Sequence, residues 1–192
     1  MNASRHNTSF DTSVYADCVI KPMLATAAKS LPTGPEWTYE VKWDGYRTLA
    51  IKEGTAVRLI SRNLNNISKQ YPGVVQAVGA IEAKRAILDG ELVAVDEHGR
   101  PSFQALQHRA STPLPVVYYA FDVLSLEDQD ITKRPLEDRR DVLARVVVCC
   151  CPSPCPARFS KLKRPYANSA WKVSSRNDVA RSTIQGSGVR IG

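Results

Sequence analysis

Lys42 is the residue of this chain best equipped for covalent chemistry. It stands in Tyr39-Glu40-Val41-Lys42-Trp43-Asp44-Gly45-Tyr46-Arg47, which sets a lysine, two acids, a glycine and an arginine among strand-forming residues. An amine is a nucleophile only when neutral, and neighbouring cations or loss of water lower its pKa to that end. Three further groups follow. Arg62 lies in Ser61-Arg62-Asn63 just past a strand end, where it can clamp a phosphate or be solvated. Asp89 and Glu91, two apart, share one face of a strand otherwise built of Ile, Leu and Val. A core-facing acid pair is costly unless it meets a cation, a metal or a ligand hydroxyl. Phe121-Asp122 repeats the theme inside Val116 to Leu124. Singly, each group also fits an exposed hairpin or a solvated sheet face.

The elements that must position these residues are mostly strands. Strand-like runs cover Trp37 to Lys42, Tyr46 to Lys52 and Ala56 to Ile60, the last two joined by a tight turn at Glu53-Gly54. Lys42 therefore ends one strand and Arg47 enters the next, with Asp44-Gly45 as a turn pair. Ala86 to Val95 and Val116 to Leu124 are further strands. Helices are predicted at Pro72 to Ala83, Ser102 to Arg109 and Lys133 to Arg145, from apolar spacing and from Pro72 and Pro135 near their starts. Turn-linked strands favour antiparallel pairing, so the fold class is α+β.

Composition adds little beyond that frame. The 192 residues suit one domain, or one plus a fragment, with an ordinary apolar fraction of 43%. No apolar run reaches bilayer length, and Met1 to Phe10 lacks a secretory apolar core, so a cytoplasmic protein is expected. The net charge of +7 would point to a polyanion, but its distribution does not. Eight of the 26 basic residues and one of the 19 acids follow Arg145, leaving the body balanced at 18 of each. Cys149, Cys150, Cys151 and Cys155 crowd the same tail without zinc or disulfide spacing, so no metal ligands are assigned.

Taken in order, the four groups resemble the covalent nucleotidyltransferases. Lys42 to Arg47 is similar to their K-x-D-G-x-R motif, Ser61-Arg62-Asn63 to the arginine motif, Leu88 to Val93 to the D-G-E motif, and Tyr119 to Asp122 to the aromatic-acid motif. The flanks Pro22-Met23-Leu24-Ala25-Thr26, Phe103-Gln104-Ala105-Leu106 and Arg134-Pro135-Leu136 resemble bacterial ATP-dependent DNA ligases of the end-joining type. The resemblance implies an antiparallel-sheet (ATP-grasp-like) adenylation domain, here incomplete. It implies ATP and Mg²⁺ as cofactors, nicked double-stranded DNA as substrate and end-joining partner proteins. Lys42 would attack the α-phosphate of ATP. Glu40 would contact the adenine, Arg47 and Glu91 the ribose, Arg62 the phosphate, and Phe121 would stack on the base. Asp44, Asp89 and Asp122 would be structural or electrostatic neighbours. The alternatives are an RNA ligase or guanylyltransferase, and a non-catalytic nucleotide-binding remnant.

The resemblance covers residues 21–145, between an expected flexible arm (1–20) and a tail (146–192) that departs from it. The family's fourth motif, an L-E-G-V-V-A-K-like string with a metal-binding glutamate, is not present as translated. A shifted frame permits it. TGG for Trp171 followed by AA of Lys172 forces GAA, glutamate, and Asn168 through Asn177 permits L-G-L-E-G-I-V-A-K. The expectation is out-of-frame translation from about Val146 and a poorly ordered tail.

Overall fold

Trp, Tyr, Val and Ile fit a pleated, half-buried surface, and they recur wherever the chain is extended here. The computed structural model describes residues 34–35, 37–109 and 114–148, with the backbone of strands at 25–28, 171–175 and 183–186. The strands are β1 (Ala25–Ala28), β2 (Trp37–Val41), β3 (Tyr46–Glu53), β4 (Ala56–Ser61), β5 (Arg85–Ala94), β6 (Val116–Leu126), β7 (Gln129–Asp130), β8 (Trp171–Ser175) and β9 (Thr183–Gly186). The helices are α1 (Pro72–Gly79), α2 (Phe103–Gln107) and α3 (Leu136–Val148), with a 3₁₀ turn at Ser68–Gln70.

Two sheets form. One has the order β4-β3-β5-β6-β7 and is antiparallel throughout. The other runs β1-β9-β8-β2, with β1 parallel to β9 and β2 antiparallel to β8. The α+β expectation holds. One detail differs: β2 and β3 do not form a hairpin, because the segment from Lys42 to Gly45 carries the chain from one sheet to the other.

The five-stranded sheet is two-faced. Ala50, Leu88, Leu92 and Val123 point to a core completed by Val74 and Val78 of α1, Leu106 of α2 and Leu143 of α3. The opposite face holds a smaller cluster of Leu49, Ile87 and Leu124. Each buried Leu or Val side chain contributes roughly 1.5–3 kcal/mol of transfer free energy, so the helix-covered face dominates stability. Ser102 caps α2 by accepting from the Ala105 amide, as its position before the helix predicts. Lys52, buried in mid-strand, carries its ammonium to the carbonyls of Gly79 and Ile81. These lie at the C-terminal end of α1, where carbonyls lack helical partners and a positive charge is favoured.

β6 does not alternate simply. Gly90 pairs with Ala120 and Asp89 with Asp122, so a bulge leaves Phe121 over. A second irregularity leaves Leu124 over, between Val123 opposite Leu88 and Ser125 opposite Ile87. Tyr118 and Ala120 pack toward the main core, then Val123, then Leu126, while Leu124 joins the opposite cluster. Bulges re-aim side chains in this way.

Within the tail two strands are described. Trp171–Ser175 pairs with β2, placing Lys172 opposite Glu40, and Thr183–Gly186 pairs with β1 and β8. A Trp- and Val-bearing string beside an available sheet edge can add a strand whatever the composition around it. Helix α3 also runs to Val148, past residue 145. The cysteines, the remaining tail and the N-terminal arm lie outside the described residues. No described helix is long and apolar enough to cross a membrane.

Candidate functional site

The site is built on the less covered face of the five-stranded sheet. Arg47 in β3 lies opposite Glu91 in β5, and Glu91 lies opposite Tyr119 in β6. Side chains two apart share a face, so Asp89 joins Glu91 there. Arg47 reaches diagonally to Asp89 with two parallel bonds, Nε to Oδ1 at 2.6 Å and Nη2 to Oδ2 at 2.7 Å. Charge-assisted bidentate pairs of this kind are among the stronger hydrogen bonds and fix the guanidinium plane. Burial alone would lower the Arg47 pKa, but the bonds to Asp89 and the charges of Asp89 and Glu91 raise it above the ordinary value. Arg47 is a permanent cation paired with Asp89 and facing the charge of Glu91.

The bulge delivers the fourth member. Phe121 lies under the Arg47 guanidinium, whose Cζ is 4.4 Å from the ring centroid, in a cation–π contact. Arg47, Asp89, Glu91 and Phe121 are thus one cluster drawn from three strands. Asp122, one residue on, turns to α3 and meets the fully buried Arg139 through bonds of 2.8 and 2.7 Å. Arg139 also donates to the Arg134 carbonyl at 2.5 Å, securing the loop before the helix.

Lys42 follows β2, half-buried, and makes no hydrogen bond or ion pair with another described residue. Its neighbours anchor it. The Trp43 ring stacks on Tyr119 with centroids 4.2 Å apart and planes 3° from parallel. Gly45 lies so close to β5 that a Cβ there would fall 2.1 Å from the Leu92 carbonyl oxygen and 2.9 Å from Cγ of Glu91. Glycine is required here by this approach rather than by a turn conformation. A Cβ on Gly90 would likewise fall 2.6 Å from both the Tyr118 ring and the Tyr119 carbonyl. Beneath that glycine, the Tyr118 hydroxyl lies 2.9 Å from the Thr48 carbonyl and 3.1 Å from that of Leu88. Burial, followed by the Asp89 charge, pushes this phenol well above its usual pKa.

Glu40 and Arg62 stand differently. Glu40, in β2, forms an ion pair with Arg140 of α3. Burial brings the Arg140 guanidinium down to about 10, which still leaves it charged at neutral pH. The Arg62 amide donates to the Arg47 carbonyl at 3.1 Å, while its side chain is exposed. Its backbone is part of the cluster; its guanidinium reaches outward. Sequence reasoning did not single out Arg139 or Arg140. A signal for Arg139 was present, because Leu136, Arg139 and Leu143 lie on one helical stripe (i, i+3, i+7). A polar residue on that stripe calls for a buried partner.

A protein cage for a metal ion is not formed: no group of three or more His, Cys, Asp or Glu side chains gathers among the described residues. Asp89 and Asp122 are each engaged by an arginine, and Asp44 beside Lys42 is exposed. That donor set fits Mg²⁺ held chiefly by a polyphosphate with one or two carboxylates, the usual mode for this ion.

The sequence matches the family described as "ATP dependent DNA ligase domain" over residues 22–181. DNA ligase C of Mycobacterium tuberculosis is 36% identical over 138 residues, covering 67% of this chain and 38% of that protein. The multifunctional non-homologous end joining protein LigD of Pseudomonas aeruginosa is 40% identical over 123 residues, covering 63% and 14%. This chain therefore spans less than half the length of these relatives. Among solved structures, mycobacterial DNA ligase D complexed with ATP and MES superposes with a TM-score of 0.67 at 25% identity, covering 86% of this chain and 60% of that one. The ligase domain of M. tuberculosis LigD gives 0.66 at 26% identity, covering 88% and 58%.

Proposed function

The chain belongs to the ATP-dependent DNA ligase domain family, and on that premise we propose that it is the lysine-bearing part of a DNA ligase that joins nicks through a covalent AMP intermediate. The observation that carries the reading is the Arg47–Asp89–Glu91–Phe121 cluster, coupled to the Lys42 segment through the Trp43–Tyr119 stack. A cation, two acids and an aromatic ring on one sheet face, linked to the Lys42 segment by that stack, support the reading.

The chemistry follows from those groups. The neutral Lys42 amine attacks the α-phosphorus of ATP; an N–P bond forms, the P–O bond to pyrophosphate breaks, and its electron pair leaves with pyrophosphate. The amine proton passes to solvent. Lysine serves because its amine can be deprotonated, which a guanidinium cannot. Glu91 and Arg47 hold the ribose, and the base stacks on Phe121. Arg62 reaches out to the phosphates, and Glu40 meets the adenine. Asp44, the exposed carboxylate nearest Lys42 in sequence, would help hold a Mg²⁺ ion, which would supply neutralisation of charge on the phosphate oxygens. AMP then passes to a DNA 5′-phosphate, and a 3′-hydroxyl displaces it. End-joining proteins are the expected partners and the cytoplasm the expected compartment. Translation from about Val146 in a second frame remains part of the reading, testable by sequencing the gene: codons incompatible with the shifted motif end it.

The enzymatic test is incubation of the full chain with α-³²P-labelled ATP and Mg²⁺. Label that survives denaturation and is lost in both Lys42→Ala and Lys42→Arg supports the reading. Label retained in either variant removes Lys42 from the role. No label in the native chain would leave a nucleotide-binding remnant as the better description.

A further inference from the structure

Two adjacent arginines of α3 hold acids on strands of two different sheets. Arg139 grips Asp122 of β6 through two hydrogen bonds, and Arg140 is ion-paired with Glu40 of β2, whose Oε1 accepts no hydrogen bond among the described residues. Neighbouring residues on a helix point about 100° apart, so one helix can face both targets at once. The Arg139 grip is rigid: its side chain is fully buried and bonded to Asp122, to the Arg134 carbonyl and to the Thr132 carbonyl at 3.5 Å. Because α3 is fixed there, Arg140 presents its guanidinium at a fixed place. Glu40 in turn lies two residues before Lys42, at the end of β2 that leads into the site.

We propose that Arg140 is a positioning residue that sets base selectivity through Glu40. The inference rests on the function proposed above, in which Glu40 meets the base. A carboxylate has two oxygens and several acceptor sites, so Arg140 can hold one edge while another lone pair faces the ligand. Held in that way, Glu40 accepts from the exocyclic amine of adenine. The 6-oxo group of guanine, an acceptor, would face an acceptor. A site built around one donor discriminates strongly against a ligand without it, since a buried acceptor is then left unpaired. Released from Arg140, the Glu40 side chain regains its rotamers, and the preference fades.

The test is equilibrium binding of ATP and GTP to the full chain, followed by calorimetry, in the native protein and in Arg140→Met, Arg140→Lys, Glu40→Gln and the Arg140→Met/Glu40→Gln double variant. Melting temperatures report folding. Arg140→Met is expected to weaken ATP about tenfold while leaving GTP within twofold, and Arg140→Lys to fall between it and the native chain. The double variant should be no worse than Glu40→Gln alone, because both act through one carboxylate. Native preference for ATP that survives Arg140→Met in a folded protein overturns the proposal and leaves the ligase reading standing. Additive losses in the double variant overturn it too. A native chain that binds neither nucleotide removes the ligase reading and this inference together.

Discussion

Arg47 and Asp89 are joined by two parallel hydrogen bonds of 2.6 and 2.7 Å across the β3–β5 pair, on the face that carries Glu91 and Phe121. Asp89 is therefore the residue that orients the arginine, and its role is geometric rather than proton transfer. Replacing Asp89 with Asn keeps its shape but turns one acceptor into a donor facing a guanidinium. We expect a loss of about 1.5–3 kcal/mol in stability, the range for hydrogen bonds to charged groups. Self-adenylation per folded molecule should fall at least tenfold. Chemical denaturation and label incorporation, measured on the same samples, separate the two effects.

Gly45 offers a sharper steric test. An added methyl would meet the Leu92 carbonyl oxygen at 2.1 Å, a backbone atom that cannot swing aside. Gly45→Ala should cost about 1–3 kcal/mol, the usual range for overpacking, and displace Lys42 with its loop. A variant of native stability and native adenylation would show that the approach of the loop to β5 is looser than described.

Trp43 and Tyr119 form the stack that couples the lysine segment to the sheet. Trp43→Leu keeps apolar volume but loses the parallel ring contact, worth about 0.5–1.5 kcal/mol beyond area burial. Adenylation should drop more than stability does. Equal behaviour of Trp43→Leu and native chain in both assays would reduce the stack to ordinary packing.

Arg139 and Asp122 test the fold beneath the site. Removing one partner of a buried pair leaves an uncompensated charge, so Arg139→Met alone should destabilise by about 3–5 kcal/mol. The double change Arg139→Met/Asp122→Leu should recover much of that loss. If the double variant is the less stable by the full sum of two single losses, the pair is not coupled as the geometry has it.

Tyr118 carries a pH signature. Its phenol is raised well above the usual value by burial, with the Asp89 charge adding to it. A raised folded pKa contributes stability that is fully present below the unfolded value of about 10 and is lost as pH rises through the folded value. Alkaline titration of the native chain should show one of its seven tyrosines ionising only on unfolding. Tyr118→Phe should remove that step and cost about 0.5–1.5 kcal/mol at neutral pH.

The strands around the site were legible because each carries its own pattern. Tyr46 to Lys52 and Ala56 to Ile60 were placed to within a residue or two of β3 and β4, with the Glu53-Gly54 turn between them. The sequence marks Asp89 and Asp122 as structural or electrostatic neighbours, and each is found on an arginine. What could not be read was which strand lies beside which. Nothing local distinguishes a hairpin across Asp44-Gly45 from a passage between two sheets, because the deciding contact, Gly45 against Leu92, spans 47 residues. Glu40 was assigned to the base, but its link to Arg140 depends on where α3 comes to rest. The short strands β1 and β7 lack enough residues to show a period.

The two irregularities of β6 have opposite effects and cancel. Up to Ala120 the even-numbered side chains face the helices; at Val123 an odd one does; at Leu126 the even ones do again. Residues 123–125 are thus a phase-shifted insert between two half-strands that agree with each other. Exchanging that insert whole, at constant length, preserves the agreement. Deleting a single residue within it turns everything on one side of the cut inside out, so this strand can vary in letters far more freely than in length.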